Sequence, residues 1–132
     1  ANFGCGSSRE TAVWALADSG FRAVIAPSFG DIFHSNCAKN GLVAIRLSTE
    51  ECAALRQTLR DKPGTEVSVD LASQTVGVHD GRNEPLHFDF DPFQKTCLIE
   101  GLDDIGITLE HSALIEAHET RHANALPWLR RD

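Results

Sequence analysis

The sequence contains no methionine among its 132 residues. It opens Ala1-Asn2-Phe3-Gly4, a start that points to processing, trimming or a longer parent chain. It also lacks an excess of positive charge: 12 basic side chains stand against 19 acidic ones, for a formal net charge of -7. Wrapping a nucleic-acid backbone needs clustered Lys and Arg, so that class of partner is excluded. No basic segment followed by an apolar stretch opens the chain, and no run is long and apolar enough to cross a bilayer; the expectation is a soluble, cytoplasmic protein. Nothing in the composition resembles collagen, a disulfide scaffold or a disordered tail. The cysteines (Cys5, Cys37, Cys52, Cys97) are separated by long, unequal gaps with no C-x-x-C pair to hold zinc or an iron-sulfur cluster. They are expected to be free and mostly buried. What remains, 42% hydrophobic and 23% charged over this length, is enough for one core, and residues 1–132 read as one domain.

Periodicity then orders the elements. Val13, Trp14, Leu16 and Ala17 form a helical stripe between Ser8 and Ser19, closed by Gly20 in the position of a C-terminal cap. Arg22-Ala23-Val24-Ile25-Ala26 is a short β-rich run stopped by Pro27. A helix over Asp31 to Lys39 ends at Asn40-Gly41, and Leu42 to Leu47 is a second strand. Strand, helix, strand in this order predicts a parallel crossover unit. Ser48-x-x-Glu51 is a capping box opening a third helix, with Cys52, Leu55 and Leu59 on one face and Pro63-Gly64 beyond its end. The period then changes to alternation: Val67, Val69 and Leu71, then Val76 and Val78, then Leu86, Phe88 and Phe90 predict an antiparallel meander. Asp91-Pro92 supplies a capping carboxylate and a first-turn proline for a helix ending at the Gly101-Leu102-Asp103-Asp104 turn. A last helix is predicted from Ser112 to His122.

The most informative stretch is Asn2-Phe3-Gly4-Cys5-Gly6-Ser7-Ser8-Arg9-Glu10. Gly4 and Gly6 let the backbone turn sharply and approach a ligand, and the helix that follows aims unpaired N–H groups and its positive dipole end at the same place. Ser7 and Ser8 add hydroxyls, and Arg9 adds a planar fork able to grip a carboxylate with two parallel hydrogen bonds. One reading is therefore a carboxylate-binding corner with a hydroxyl poised for proton transfer. The other is structural: Ser7-x-x-Glu10 fits a capping box that merely closes the first helical turn. The stretch is not a dinucleotide fingerprint, because Arg9 stands where the third glycine belongs, nor a nucleophile elbow, which needs Gly-x-Ser-x-Gly.

A resemblance separates the two. This stretch, with Trp14-Ala15-Leu16, Gly20-Phe21, Val24 to Phe29, Asp31-Ile32-Phe33, Asn40-Gly41-Leu42, Phe90-Asp91, Phe93, Cys97 and Gly101 to Leu109 in order, resembles the small-subunit family of bacterial 3-isopropylmalate dehydratase over nearly the whole chain. Gly-Ser-Ser-Arg-Glu is shared with the wider aconitase superfamily; Gly-Leu-Asp-Asp-Ile-Gly is more particular to the isopropylmalate branch. The resemblance implies an α/β fold, the three-layer β/β/α swivelling domain of aconitase, with the antiparallel meander as one layer. It implies a partner, a large subunit that holds a [4Fe-4S] cluster, with no cofactor bound by this chain. The pair would convert 2-isopropylmalate to 3-isopropylmalate by dehydration and rehydration in leucine biosynthesis; 2-methylmalate or homocitrate would be the substrate of a related small subunit. By position, Ser7 would be the base that takes the carbon-bound proton, Ser8 and Arg9 would hold substrate carboxylate, and Gly4 and Gly6 would form the backbone anion turn. Two departures stand out. Thr11 replaces the histidine usual after Arg-Glu, and the family carries a segment before the motif, with a substrate-contacting loop, that is not seen here.

One motif competes. His118-Glu119-Thr120-Arg121-His122 matches H-E-x-x-H, the helical pair of imidazoles with a glutamate of a zinc hydrolase, although chance alone gives about 0.02 occurrences per chain of this composition. Against zinc chemistry, Arg121 sits inside the motif and no downstream helix remains to bring a third ligand. Asp103-Asp104 could be an acid/base pair, but adjacent carboxylates at a helix end usually cap it or face water, and His34, His79, His87 and His111 show no ligand spacing. Arg130-Arg131 is too short for a nucleic-acid patch.

Overall fold

A computed structural model describes residues 2–6, 9–81, 84–126 and 128, with Asp104 described through its backbone. The chain divides into two compact units, Ala1–Gly101 and Leu102–Asp132. In the first, α1 (Thr11–Asp18), β1 (Ala23–Ala26), α2 (Asp31–Lys39) and β2 (Val43–Arg46) are followed by α3 (Thr49–Asp61). Next come β3 (Val67–Asp70), β4 (Thr75–Val78), β5 (Leu86–His87) and α4 (Pro92–Glu100). The second unit holds α5 (Asp104–Glu110) and α6 (Ser112–Ala125).

The predicted crossover is present: β1 and β2 pair in parallel, Ala23 opposite Val43 through Ala26 opposite Arg46. Strands β3, β4 and β5 form the antiparallel meander, with Val69 opposite Val76 and Val76 opposite Leu86. Alternation along the parallel pair separates two apolar clusters. Ala26 and Ala44, with Val24 against them, join Val13 of α1 and Phe33 and Cys37 of α2 on one face. Ala23, Ile25, Val43 and Ile45 face the other way, toward Val76 and Phe88 and the partly buried Val67, Val69 and Leu86 of the meander. Helices, parallel pair and meander therefore stack as three layers. Burying the fully enclosed Val13, Leu42, Ile45 and Val76 contributes about 1.5–3 kcal/mol for each side chain.

Helix ends follow their punctuation. Gly20 (φ +89°) and Gly41 (φ +71°) take the left-handed conformation just past α1 and α2. In each case two backbone N–H groups reach back to the last turn: Gly20 to Ala17 and Phe21 to Leu16, Gly41 to Ala38 and Leu42 to Cys37. Before α3, Ser48 Oγ accepts from Glu51 N at 3.1 Å while the Glu51 carboxylate accepts from Ser48 N at 2.8 Å. Asp91 caps α4 by accepting from Gln94 N at 2.8 Å, and Gly101 ends it with φ +70°. Lys95 Nζ ties α4 to the meander through the Ala72 carbonyl at 2.7 Å and Gln74 Oε1 at 3.1 Å.

Four points differ from the sequence reading. Helix α1 starts at Thr11 rather than Ser8, with Glu10 as its N-cap. Strand β5 is shorter than Leu86 to Phe90, held between Pro85 and the Asp91-Pro92 cap, with Phe88 N still reaching the Gln74 carbonyl at 3.1 Å. Helix α5 has no counterpart in the periodicity: Ile105-Gly106-Ile107-Thr108 is a run of weak helix formers, and the helix forms behind Asp103, whose carboxylate accepts from Gly106 N at 2.6 Å. Of the four free thiols, Cys37 and Cys52 are buried, but Cys5 is exposed and Cys97 half-buried. Burial pushes the Cys37 thiol up to about 11. Among the described residues, no helix is long and apolar enough to cross a membrane.

The hydrogen bond donated by the Ser48 backbone N–H, and after it the Ser48 side chain, hold the Glu51 carboxyl below the usual carboxylate range. Its contribution is therefore complete above the ordinary glutamate range and is lost as the pH falls through the depressed folded value. Glu51→Ala, which removes the titrating carboxylate, should cost no more than about 1 kcal/mol at neutral pH at so exposed a site, a difference that narrows in acid. Urea titrations of both proteins across the acidic range check this.

Candidate active site

The Asn2–Gly6 turn is held against the end of β1 by its backbone. Phe3 forms a parallel bridge with Phe29: Phe3 N donates to the Ser28 carbonyl and Gly30 N to the Phe3 carbonyl, each at 2.9 Å. Ser28 Oγ accepts from Asn2 N at 2.6 Å and donates to Asn2 Oδ1 at 3.1 Å, and Cys5 N closes the turn on the Asn2 carbonyl at 3.1 Å. The rings of Phe3, Phe29 and Phe33 pack mutually, with centroids 5.5 to 6.2 Å apart.

Gly4 is required twice over. Its φ is +73°, and a β-carbon there would lie 2.2 Å from Phe33 Cγ. Gly30 meets the turn from below, where a β-carbon would sit 3.2 Å from Cys5 Cα. Gly6 differs: its φ of +102° demands glycine, yet nothing lies within 4 Å of its would-be β-carbon. The turn and the first turn of α2 enclose an open cleft of about 410 Å³, lined by Gly4, Cys5, Gly6, Gly30, Asp31, Ile32 and Phe33. It lies beyond the carboxyl end of β1, where open α/β sheets place their ligands.

Of the predicted site residues, Gly4 and Gly6 line this cleft and Arg9 is exposed immediately before the N-cap of α1. Ser7 and Ser8 lie outside the described residues, as do Arg130-Arg131. Glu10 occupies the N-cap, in helical conformation (φ -64°, ψ -19°) and with no side-chain cap of its own; a capping box between Ser7 and Glu10 lies outside the described residues. Trp14 Nε1 donates to Asn40 Oδ1 at 2.8 Å, which anchors α1 to the end of α2 and with it the position of Arg9.

A second cleft of about 600 Å³ was invisible to local spacing. Its polar lining includes His34, Arg46, Ser48, Glu51, His87 and Asp89, brought together only by the parallel pairing and the return of β5. Burial, then the Arg46 charge, lowers the His34 pKa against the opposing pull of Asp31, which favours a neutral imidazole. In the second unit, the His118 and His122 rings lie 6.1 Å apart. No group of three or more His, Cys, Asp or Glu side chains among the described residues is placed to hold a metal ion, so the third ligand of a zinc hydrolase is not found there.

Residues 1–50 match the family model of the aconitase C-terminal domain, and with the three layers this defines an aconitase-type swivelling domain. Residues 104–132, which include the His-Glu-x-x-His segment, match the family model of the C-terminal domain of the 3-isopropylmalate dehydratase small subunit. The chain is 50% identical over 127 residues to a 3-isopropylmalate dehydratase small subunit of Magnetococcus marinus, covering 96% of this chain and 59% of that protein. It is 51% identical over 128 residues to one of Roseobacter denitrificans, covering 97% and 63%. The crystal structure of a 3-isopropylmalate dehydratase from Methanocaldococcus jannaschii superposes with a TM-score of 0.62 at 33% identity, covering 89% of this chain and 64% of that one. The chain belongs to the 3-isopropylmalate dehydratase small-subunit family, and it spans about three-fifths of the length of these relatives.

The two glycines should respond differently to alanine. Gly4→Ala combines left-handed strain with overpacking against Phe33 and should cost about 2–4 kcal/mol. Gly6→Ala carries the backbone strain alone, about 1–2 kcal/mol. Chemical denaturation of the two variants gives the order.

Proposed function

We propose that this chain completes the active site of a cytoplasmic 3-isopropylmalate dehydratase of leucine biosynthesis, docking on a large subunit that holds a [4Fe-4S] cluster. The observation that carries the reading is the glycine turn wedged on Phe33 beside an open cleft, because it leads the backbone directly into Ser7-Ser8-Arg9. Family membership supports the same assignment. Ser7 removes the proton from the substrate carbon. A serine hydroxyl is a poor base in water, so it acts as an alkoxide, stabilised by N–H donors of the turn and by the Arg9 charge. Ser8 donates to a substrate carboxylate, and Arg9 grips it through two parallel hydrogen bonds, which fixes the carbon against Ser7. The partner's cluster supplies Lewis acidity for the departing hydroxyl. Re-addition of water to the isopropylmaleate formed, with the proton returned by Ser7, yields the isomer.

Mixing the chain with the large subunit should give consumption of 2-isopropylmalate that neither supports alone. Ser7→Ala should lower kcat by about 10²–10⁴-fold with co-purification of the subunits unchanged. Arg9→Lys keeps the charge but loses the fork, and should lower kcat/KM by about tenfold or more. Wild-type turnover in the Ser7→Ala enzyme would eliminate the base assignment; a wild-type chain that neither binds the large subunit nor restores turnover would eliminate the function.

A further inference from the structure

The His-Glu-x-x-His segment is not absorbed by the dehydratase reading, and its geometry has a use of its own. His118 and His122 stand four residues apart on α6, both exposed, with ring centroids 6.1 Å apart and planes 28° from parallel. On a helix that spacing places the two side chains about 40° apart around the axis and one turn apart along it. Glu119 lies about 100° from His118 and about 60° from His122 around the axis, on the flank of the pair. Arg121 turns back along the helix to donate from Nε to the Ala117 carbonyl at 3.3 Å. His111 shares the face but lies roughly 10 Å down the axis from His118, too far for one ion.

We propose that His118 and His122 form a two-imidazole chelate for a divalent transition metal of borderline softness, which clamps α6 in its helical form. Each nitrogen binds at about 2.0–2.1 Å, a distance that free rotation of two exposed rings allows. Water fills the remaining positions, consistent with the absence of a three-residue cluster among the described residues. Imidazole pairs select Cu²⁺ and Ni²⁺ or Zn²⁺ over Mg²⁺ and Ca²⁺, which take oxygen ligands. The clamp acts where packing does not: α6 has no buried residue, and the spacing that binds the ion exists only in the helix, so binding and helix formation are linked. The site is structural, since a catalytic zinc takes three protein ligands and no third one joins the pair among the described residues.

Metal-free protein is titrated with Cu²⁺, Ni²⁺, Zn²⁺ and Mg²⁺ by calorimetry, with helix content followed by far-UV circular dichroism. One Cu²⁺, Ni²⁺ or Zn²⁺ ion per chain should bind with a gain in helicity, Mg²⁺ should not bind, and acid should release the ion. His118→Ala and His122→Ala should each weaken binding about tenfold or more. The double change Thr120→His with His122→Thr keeps the number of histidines but turns the pair to different faces, and should weaken binding as much. Unchanged affinity in either single variant, retention in the register-shifted variant, or binding without a gain in helix would overturn the proposal.

Discussion

Phe33 occupies the space in which any side chain at position 4 would have to begin. That single exclusion organises the amino-terminal half. It forces glycine at the turn, and it sets the turn on the same ring that closes the α1–α2 cluster against the parallel pair. The Phe3–Phe29 bridge and the Asn2–Ser28 hydrogen bonds then fix the direction in which the chain leaves toward Arg9 and α1. A core aromatic and a site backbone are thus one construction, so the cleft inherits the rigidity of the core beneath it.

The layers serve the same end. Alternation along β1 and β2 sends Ala26 and Ala44 toward the helices and Ile25 and Ile45 toward the meander. Two small residues on the helix side leave room for Phe29 and Phe33 to approach the sheet, while the larger ones fill the interface with Val76 and Phe88. The meander and α3 support the parallel pair from behind, α4 is tied to the meander through Lys95, and the carboxyl end of β1 stays open to the cleft.

Much of this was legible in the sequence because it depends on local chemistry. Ser48-x-x-Glu51, Asp91-Pro92, Gly20 and Gly41 act within one or two turns of themselves, and each ends or begins a helix where its side chain or its freedom at positive φ dictates. Helix α5 was not legible, because its residues have weak helical preference and its start rests on a turn in which Asp103 happens to cap. Nor was the need for glycine at position 4 distinguishable from that at position 6: both take positive φ, but only the fold brings Phe33 under one of them. The cleft that gathers His34, Arg46 and His87 depends on strands far apart in sequence, and no spacing encodes it. For the site, Ser7-x-x-Glu10 alone leaves capping and catalysis both open, and with Ser7 and Ser8 outside the described residues the roles of Ser7, Ser8 and Arg9 rest on the family motif and on the turn that leads into them.

Proton abstraction by Ser7 is the central claim, and it is isolated from water loss by isotope exchange at the substrate carbon. In the assembled enzyme, incubation with 3-isopropylmalate and 2-isopropylmalate in D₂O should place deuterium on the carbon that loses its proton, and Ser7→Ala should abolish that incorporation while substrate still binds. Deuterium incorporation at the wild-type rate in the Ser7→Ala enzyme would contradict the account.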